Sequence, residues 1–92
     1  MKPIAWNAEK NAVLKAERGV SFEDVVFHMM AGDVLDTVDH PNQERYPGQQ
    51  IHVIAIEEYV YLVPFVESEE EVFLKTIIPS RRATKSYVGE GT

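Results

Sequence analysis

Ile51-His52-Val53-Ile54-Ala55-Ile56-Glu57-Glu58-Tyr59-Val60-Tyr61-Leu62-Val63-Pro64-Phe65-Val66 is the stretch that decides the fold. Two runs rich in β-branched and aromatic residues flank Glu57-Glu58, a two-residue connection of the kind that closes an antiparallel hairpin. Pro64 has no N–H to give to a ladder, so the second strand should meet a bulge or a free edge near its end. Downstream, Glu67 to Glu71 reads as an acidic turn and Val72 to Ile78 as a last strand broken by Pro79. Three strands with short connections make an antiparallel meander.

Upstream, the period changes from two to that of a helix. Ser21 opens a helix with Asp24 in the Ser-x-x-Asp capping arrangement. Phe22, Val25, Val26, Met29 and Met30 then recur at the i, i+3, i+4, i+7 spacing of a buried stripe, and Gly32 ends it. Before it, Asn7 is a fitting N-cap for Ala8 to Glu17, with Glu9 in the first turn and Gly19 as the stop. That helix offers only a narrow apolar face (Ala5, Ala8, Ala12, Val13, Ala16). Pro3 to Trp6 reads as an edge strand that anchors Trp6 in the core. Asp33 to Asp39 reads as a short strand or an irregular extension, and His40 to Gly48, with two prolines and a glycine, as the longest loop. Ser80 caps a short final helix, Arg81 to Tyr87, and Gly89 to Thr92 form a flexible tail. The expectation is a single α+β domain over residues 1–92. Its two N-terminal helices pack on an antiparallel sheet of three to four strands, a short C-terminal helix follows, and all helices gather on one face.

Composition bounds the chemistry. The chain has 92 residues and no cysteine, so disulfides, thiolate metal sites and thiol nucleophiles are out. No apolar run approaches the ~20 residues of a membrane span, and the start lacks the apolar core of a secretory leader. The expectation is a cytoplasmic protein with no membrane partner. Net charge is −6, unevenly spread. Residues 1–74 hold five basic and fourteen acidic side chains, a balance of −9, whereas residues 75–92 hold four basic and one acidic, a balance of +3.

His28, His40 and His52 are scattered, without the paired spacing of a metal site, and no Gly-rich phosphate loop or nucleophile elbow is present. No metal or cofactor is expected. What remains is Lys75 followed by Ser80-Arg81-Arg82-Ala83-Thr84-Lys85-Ser86-Tyr87. On a helix Arg81 and Lys85 share a face at i, i+4, with Arg82 beside it. Metal-free RNA cleavage needs a base for the 2′-hydroxyl, a cation at the crowded phosphate and an acid for the leaving oxygen. Arginine suits the second role, and His, Lys, Glu or Tyr could serve the others. A short amphipathic end helix with its basic residues in water accounts for the same pattern.

Trp6-Asn7, Lys10-Asn11, Leu14 and Arg18-Gly19-Val20-Ser21-Phe22-Glu23-Asp24-Val25 together resemble the N-terminal half of BrnT-type toxins. Ile78-Pro79-Ser80-Arg81-Arg82-Ala83-Thr84-Lys85 is similar to that family's Ile-Ser-Ala-Arg-Arg-Ala-Thr-Lys ending. The chain departs from the pattern at Asn7, usually Asp, at Glu17-Arg18, usually Lys-His, and at Pro79, usually a smaller residue. The resemblance implies a RelE-like fold and a metal-independent ribonuclease toxin that inhibits translation. It also implies neutralisation by a ribbon-helix-helix antitoxin, with operator DNA bound only through that antitoxin. It assigns Arg81 and Arg82 to the phosphate of RNA or ribosome-associated mRNA, with Lys85 or Lys75 supporting charge. His52 and Tyr87 are then the candidate proton carriers, and Arg45 and Tyr46, with His40, are the candidate substrate contacts of the long loop. A non-catalytic module that binds a DNA-binding antitoxin-like partner and modulates its repression is the alternative.

Overall fold

The computed structural model describes residues 2–89, so most of the expected tail, residues 90–92, lies outside the described residues. The chain runs β1 (Ile4–Ala5), α1 (Ala8–Arg18), α2 (Phe22–Met30), β2 (Val34–Asp39), β3 (Gln49–Ile56), β4 (Tyr59–Glu67), β5 (Val72–Leu74), β6 (Ile78–Pro79) and α3 (Arg81–Tyr87). The class is α+β, but the sheet is larger than the sequence suggests and mixed. Its order is β1-β5-β4-β3-β2, with β6 on β4 beside β5, and β1 joins β5 in parallel.

The hairpin forms about Glu57-Glu58, with Ile56 opposite Tyr59. Both glutamates take positive φ, 49° and 68°, the mirror-image turn whose twist matches the flanking strands and which normally recruits Asn or Gly. Asp33 to Asp39 resolves as a strand, β2, paired to β3 from Val34–Ile54 to Asp39–Gln50 with an irregularity between Val34 and Asp36.

The expected last strand is split in two. Leu74 pairs with Phe65 and Ile78 with Leu62, so four steps along one strand answer three along the other. This one-residue excess is a bulge, and it lies opposite Pro64. Pro64 turns its carbonyl to the Lys75 N–H (2.8 Å), so its missing donor falls where the ladder is already interrupted. The extra residue also resets the side-chain alternation, and Leu74 and Ile77, three apart, both enter the core. Pro79 belongs to β6 rather than ending the strand before it.

One face of the sheet carries α1 and α2. Leu14, Phe22, Val25, Ile54, Ile56, Val63, Phe65, Leu74 and Ile77 form the core there, and Trp6 stacks on Phe22 at 5.7 Å. The Ser21–Asp24 capping box closes in both directions, Asn7 caps α1, and Gly19 ends it with φ +67°. The alanine face expected for α1 is not the buried one, because Ala8, Ala12 and Val13 are exposed. The inward line is Asn11 and Leu14, continued by Arg18, which donates to the Ile77 carbonyl. A buried amide stands where an apolar residue would be sought. Asn11 accepts from the Phe22 N–H (2.7 Å) and donates to Glu23 (2.7 Å), joining the two helices.

α3 does not join α1 and α2. Val53 and Val60 are buried on the opposite face of the sheet, apart from the main core, and α3 packs on β4 there. Its last residue, Tyr87, reaches Asp36, whose register partner is Val53. The expectation of helices on one face is corrected. Val53 and Val60 make the second face apolar as well, and α3 is the element that packs there.

Thr84 fastens α3. Its hydroxyl donates to the Ser80 carbonyl (2.7 Å) and accepts from the Val60 N–H (2.9 Å), on the strand that also receives β6. Thr84→Val keeps the shape and orphans that N–H, so it should cost about 1–3 kcal/mol. Chemical denaturation checks this, and hydrogen exchange at Val60 should accelerate selectively.

Candidate functional site

Helical geometry sorts the residues of α3. Arg81 and Lys85 lie on one line and Arg82 and Ser86 on the next, while Ala83, Thr84 and Tyr87 occupy the arc that docks on the sheet. The four outward residues line an open concavity of about 550 Å³. Ser80 caps the helix by accepting from the Ala83 N–H (3.0 Å), which holds the two arginines at its beginning. Arg81, Arg82 and Lys85 are exposed, so the concavity is a wet cationic surface in an otherwise acidic protein.

The other expected site residues are dispersed. Tyr87 shares α3 but not its outward arc, and its hydroxyl donates to Asp36 (3.1 Å). That bond is the main reason its pKa lies above the ordinary tyrosine value, so Tyr87 is protonated at neutral pH. Lys75 is exposed after β5, its ammonium 5.4 Å from the Phe73 ring. Arg45 and Tyr46 lie on the β2–β3 loop, where the Arg45 guanidinium sits 5.5 Å from the Tyr46 ring and the His40 ring lies 4.4 Å from it. The loop is held by its own bonds, with Tyr46 N–H to the Asn42 carbonyl and Gln43 spanning to Gln49.

His52 is on the wrong side of the sheet for α3. Its register partners are Val63 and Thr37, and Val63 belongs to the core under α1 and α2. The ring stacks on Phe65 at 4.0 Å and Nδ1 bonds the Thr37 hydroxyl at 2.8 Å. It is half-buried rather than displayed on an open sheet face. Burial lowers its pKa below the ordinary 6.5, against a small opposing pull from Glu67, so His52 is neutral at pH 7. The unfolded chain therefore takes up this proton first. His52 contributes stability above pH 6.5 that is lost as pH falls from there toward its folded value. In His52→Phe that part of the pH dependence should vanish, as urea denaturation at a series of pH values would register.

Asp36, Thr37 and Thr84 are the positioning residues that sequence reasoning missed. A half-buried hydroxyl pinning a helix and a carboxylate meeting a tyrosine fifty-one positions away leave no periodic signal. Among the described residues no group of three or more His, Asp or Glu could hold a metal ion, and no helix is long and apolar enough to cross a membrane. No family model, curated protein or solved structure matches this chain.

Proposed function

We propose that this chain is a ribonuclease toxin acting in the cytoplasm, held inactive by a basic ribbon-helix-helix antitoxin. The observation that carries the reading is the meeting of Arg81, Arg82 and Lys85 around one open concavity, at the basic end of an acidic chain. In this reading the RNA 2′-oxygen attacks phosphorus, the bond to the 5′-oxygen breaks, and a 2′,3′-cyclic phosphate and a 5′-hydroxyl result. Arg81 and Arg82 meet the non-bridging oxygens, where charge accumulates in the transition state, and Lys85 adds to the field. Tyr87 lies off the outward arc with its hydroxyl given to Asp36 (3.1 Å), so the 2′ proton and the proton of the leaving oxygen pass through solvent in this reading. The acidic remainder suits a basic antitoxin and keeps unaided RNA affinity low.

The alternative, a non-catalytic module that binds the antitoxin and modulates repression, draws on His52, which the sheet separates from the arginines. Tightly induced expression in a bacterial host separates the two. The ribonuclease reading expects growth arrest with loss of total RNA integrity. Arg81→Ala combined with Arg82→Ala, both at exposed positions, should abolish both effects while the protein stays folded. Normal growth and intact RNA with soluble, folded wild-type protein would overturn the ribonuclease reading and leave the module, whose test is stable complex formation with the partner.

A further inference from the structure

A second concavity lies far from the arginines in character. It is a narrow cleft of about 190 Å³ between the α1–α2 turn, α2 and the β3–β4 turn, with Asp24, His28, Glu57, Tyr59 and Tyr61 on its walls. Drug-sized ligands occupy ~300–1,000 Å³, so this cleft is suited to one side chain. Its charge is negative. Asp24 commits one carboxylate oxygen to the Ser21 N–H, and Glu57 has no side-chain hydrogen bond or ion pair among the described residues. His28 Nδ1 is held at 2.8 Å by the Asp33 carboxylate, and no lysine or arginine lines the cleft.

The walls are aromatic as well as acidic. The Tyr59 and Tyr61 rings meet edge to face at 5.5 Å. Burial, then the neighbouring Tyr59 and the carboxylates Glu57 and Asp24, raise the Tyr61 pKa, in keeping with a site that favours positive charge. Tyrosine faces beside carboxylates match a guanidinium, which stacks by its plane and donates by its edge, better than a strongly hydrated ammonium. Beside His28, one of the wall residues, stands Phe27, 68% exposed, its ring 5.3 Å from the imidazole.

We infer that the Asp24–Glu57–Tyr59–Tyr61 cleft receives an arginine side chain from a basic protein partner, whose flanking residues cover Phe27. Residues 1–74 carry a balance of −9, which supplies the attraction for such a partner. The inference goes beyond the ribonuclease reading and does not need RNA cleavage.

The test is a titration of the full-length ¹⁵N-labelled protein with N-acetyl-arginine amide, beside its neutral citrulline analogue. Saturable shifts are expected at Gly19, Val20 and residues 56–61, and none with the citrulline analogue. Glu57→Asn removes the carboxylate with a residue that tolerates φ +49°, so the turn is retained, and should weaken binding about fivefold. Absence of saturable shifts, shifts scattered over the acidic surface, or equal affinity in Glu57→Asn would overturn the inference. So would saturation by spermidine but not by the arginine probe, which assigns the cleft to a free polyamine. Concentration-dependent closure of the cleft without any ligand would assign it to Arg81 or Arg82 of a second copy and also overturn it. None of these outcomes depends on toxicity, so failure here and failure of the ribonuclease reading are distinguishable.

Discussion

Phe22→Ala is expected to lower stability by about 3–5 kcal/mol. The side chain is fully buried, stacks on Trp6 and fills the space between the two N-terminal helices and the sheet. A domain of this length holds about 5–14 kcal/mol in all, so the variant should be close to the edge of folding at 37 °C. Each kcal/mol moves the melting temperature of so small a domain by ~4–8 °C, which places the expected drop at 12 °C or more, roughly. The chain has one tryptophan, Trp6, and it sits against the substituted ring. Its fluorescence therefore reports the same site that the substitution empties. Phe22→Leu, which retains most of the volume, should cost about 1.5 kcal/mol or less. Equal losses in the two variants would mean that Phe22 does not fill the core as described.

The second large effect is expected at Asn11. Asn11→Ala leaves the buried Phe22 N–H without an acceptor and should cost about 2–3 kcal/mol, although alanine is the better helix former. A distinct readout comes from Glu23. The Asn11 amide is the largest of the influences that hold the Glu23 carboxyl below its ordinary 4.5. A depressed carboxyl contributes stability that is complete above its unfolded pKa and is lost as pH falls through its folded value. In Asn11→Ala the Glu23 titration should therefore move up toward 4.5, and its share of the acid sensitivity should shrink, as an NMR titration would record. An unchanged Glu23 midpoint would show that the carboxyl owes nothing to the amide. Asn11→Asp is the sharper control. It can still accept from the Phe22 N–H but faces Glu23 with like charge, so its deficit should be larger at pH 7 than in mild acid.

Asn11 also marks where reading the chain residue by residue stops working. The capping box at Ser21 and Asp24, the stripe from Phe22 to Met29 (Met30, expected in it, is 64% exposed), the Gly19 stop and the hairpin at Glu57-Glu58 are local events. Each depends on residues within four positions of one another or on a period, so each is legible before folding. The inward line of α1 was not. An amide is polar in isolation, and its burial makes sense only once the N–H of Phe22 and the carboxyl of Glu23 are brought to it. The same holds for the broken last strand. Pro64 announces an interruption, but only the pairing with β5 and β6 shows it as an extra residue opposite the proline.

The candidate site divides in the same way. The grouping of Arg81, Arg82 and Lys85 follows from helical spacing alone, and the concavity they line is a consequence of it. The separation of His52 from those arginines does not. The alternation of β3 puts His52 on the opposite face from Ile51 and Val53, but the expectation that all helices share one face fails for α3. That was decided by Val53 and Val60, two apolar side chains on the second face, and by Thr84 and Tyr87, which bind Val60 and Asp36 there. The narrow cleft at Asp24, Glu57, Tyr59 and Tyr61 joins a helix start to a strand turn thirty-three positions later, beyond the reach of any period. By itself the sequence determined the α+β class, the caps, the hairpin and the basic arc of α3, because short-range sterics, hydrogen bonding and periodicity govern them. Tertiary structure alone decided the sixth strand, the second helical face and the distance between His52 and the arginines, because these depend on which apolar surfaces remain to be covered once the local elements have formed.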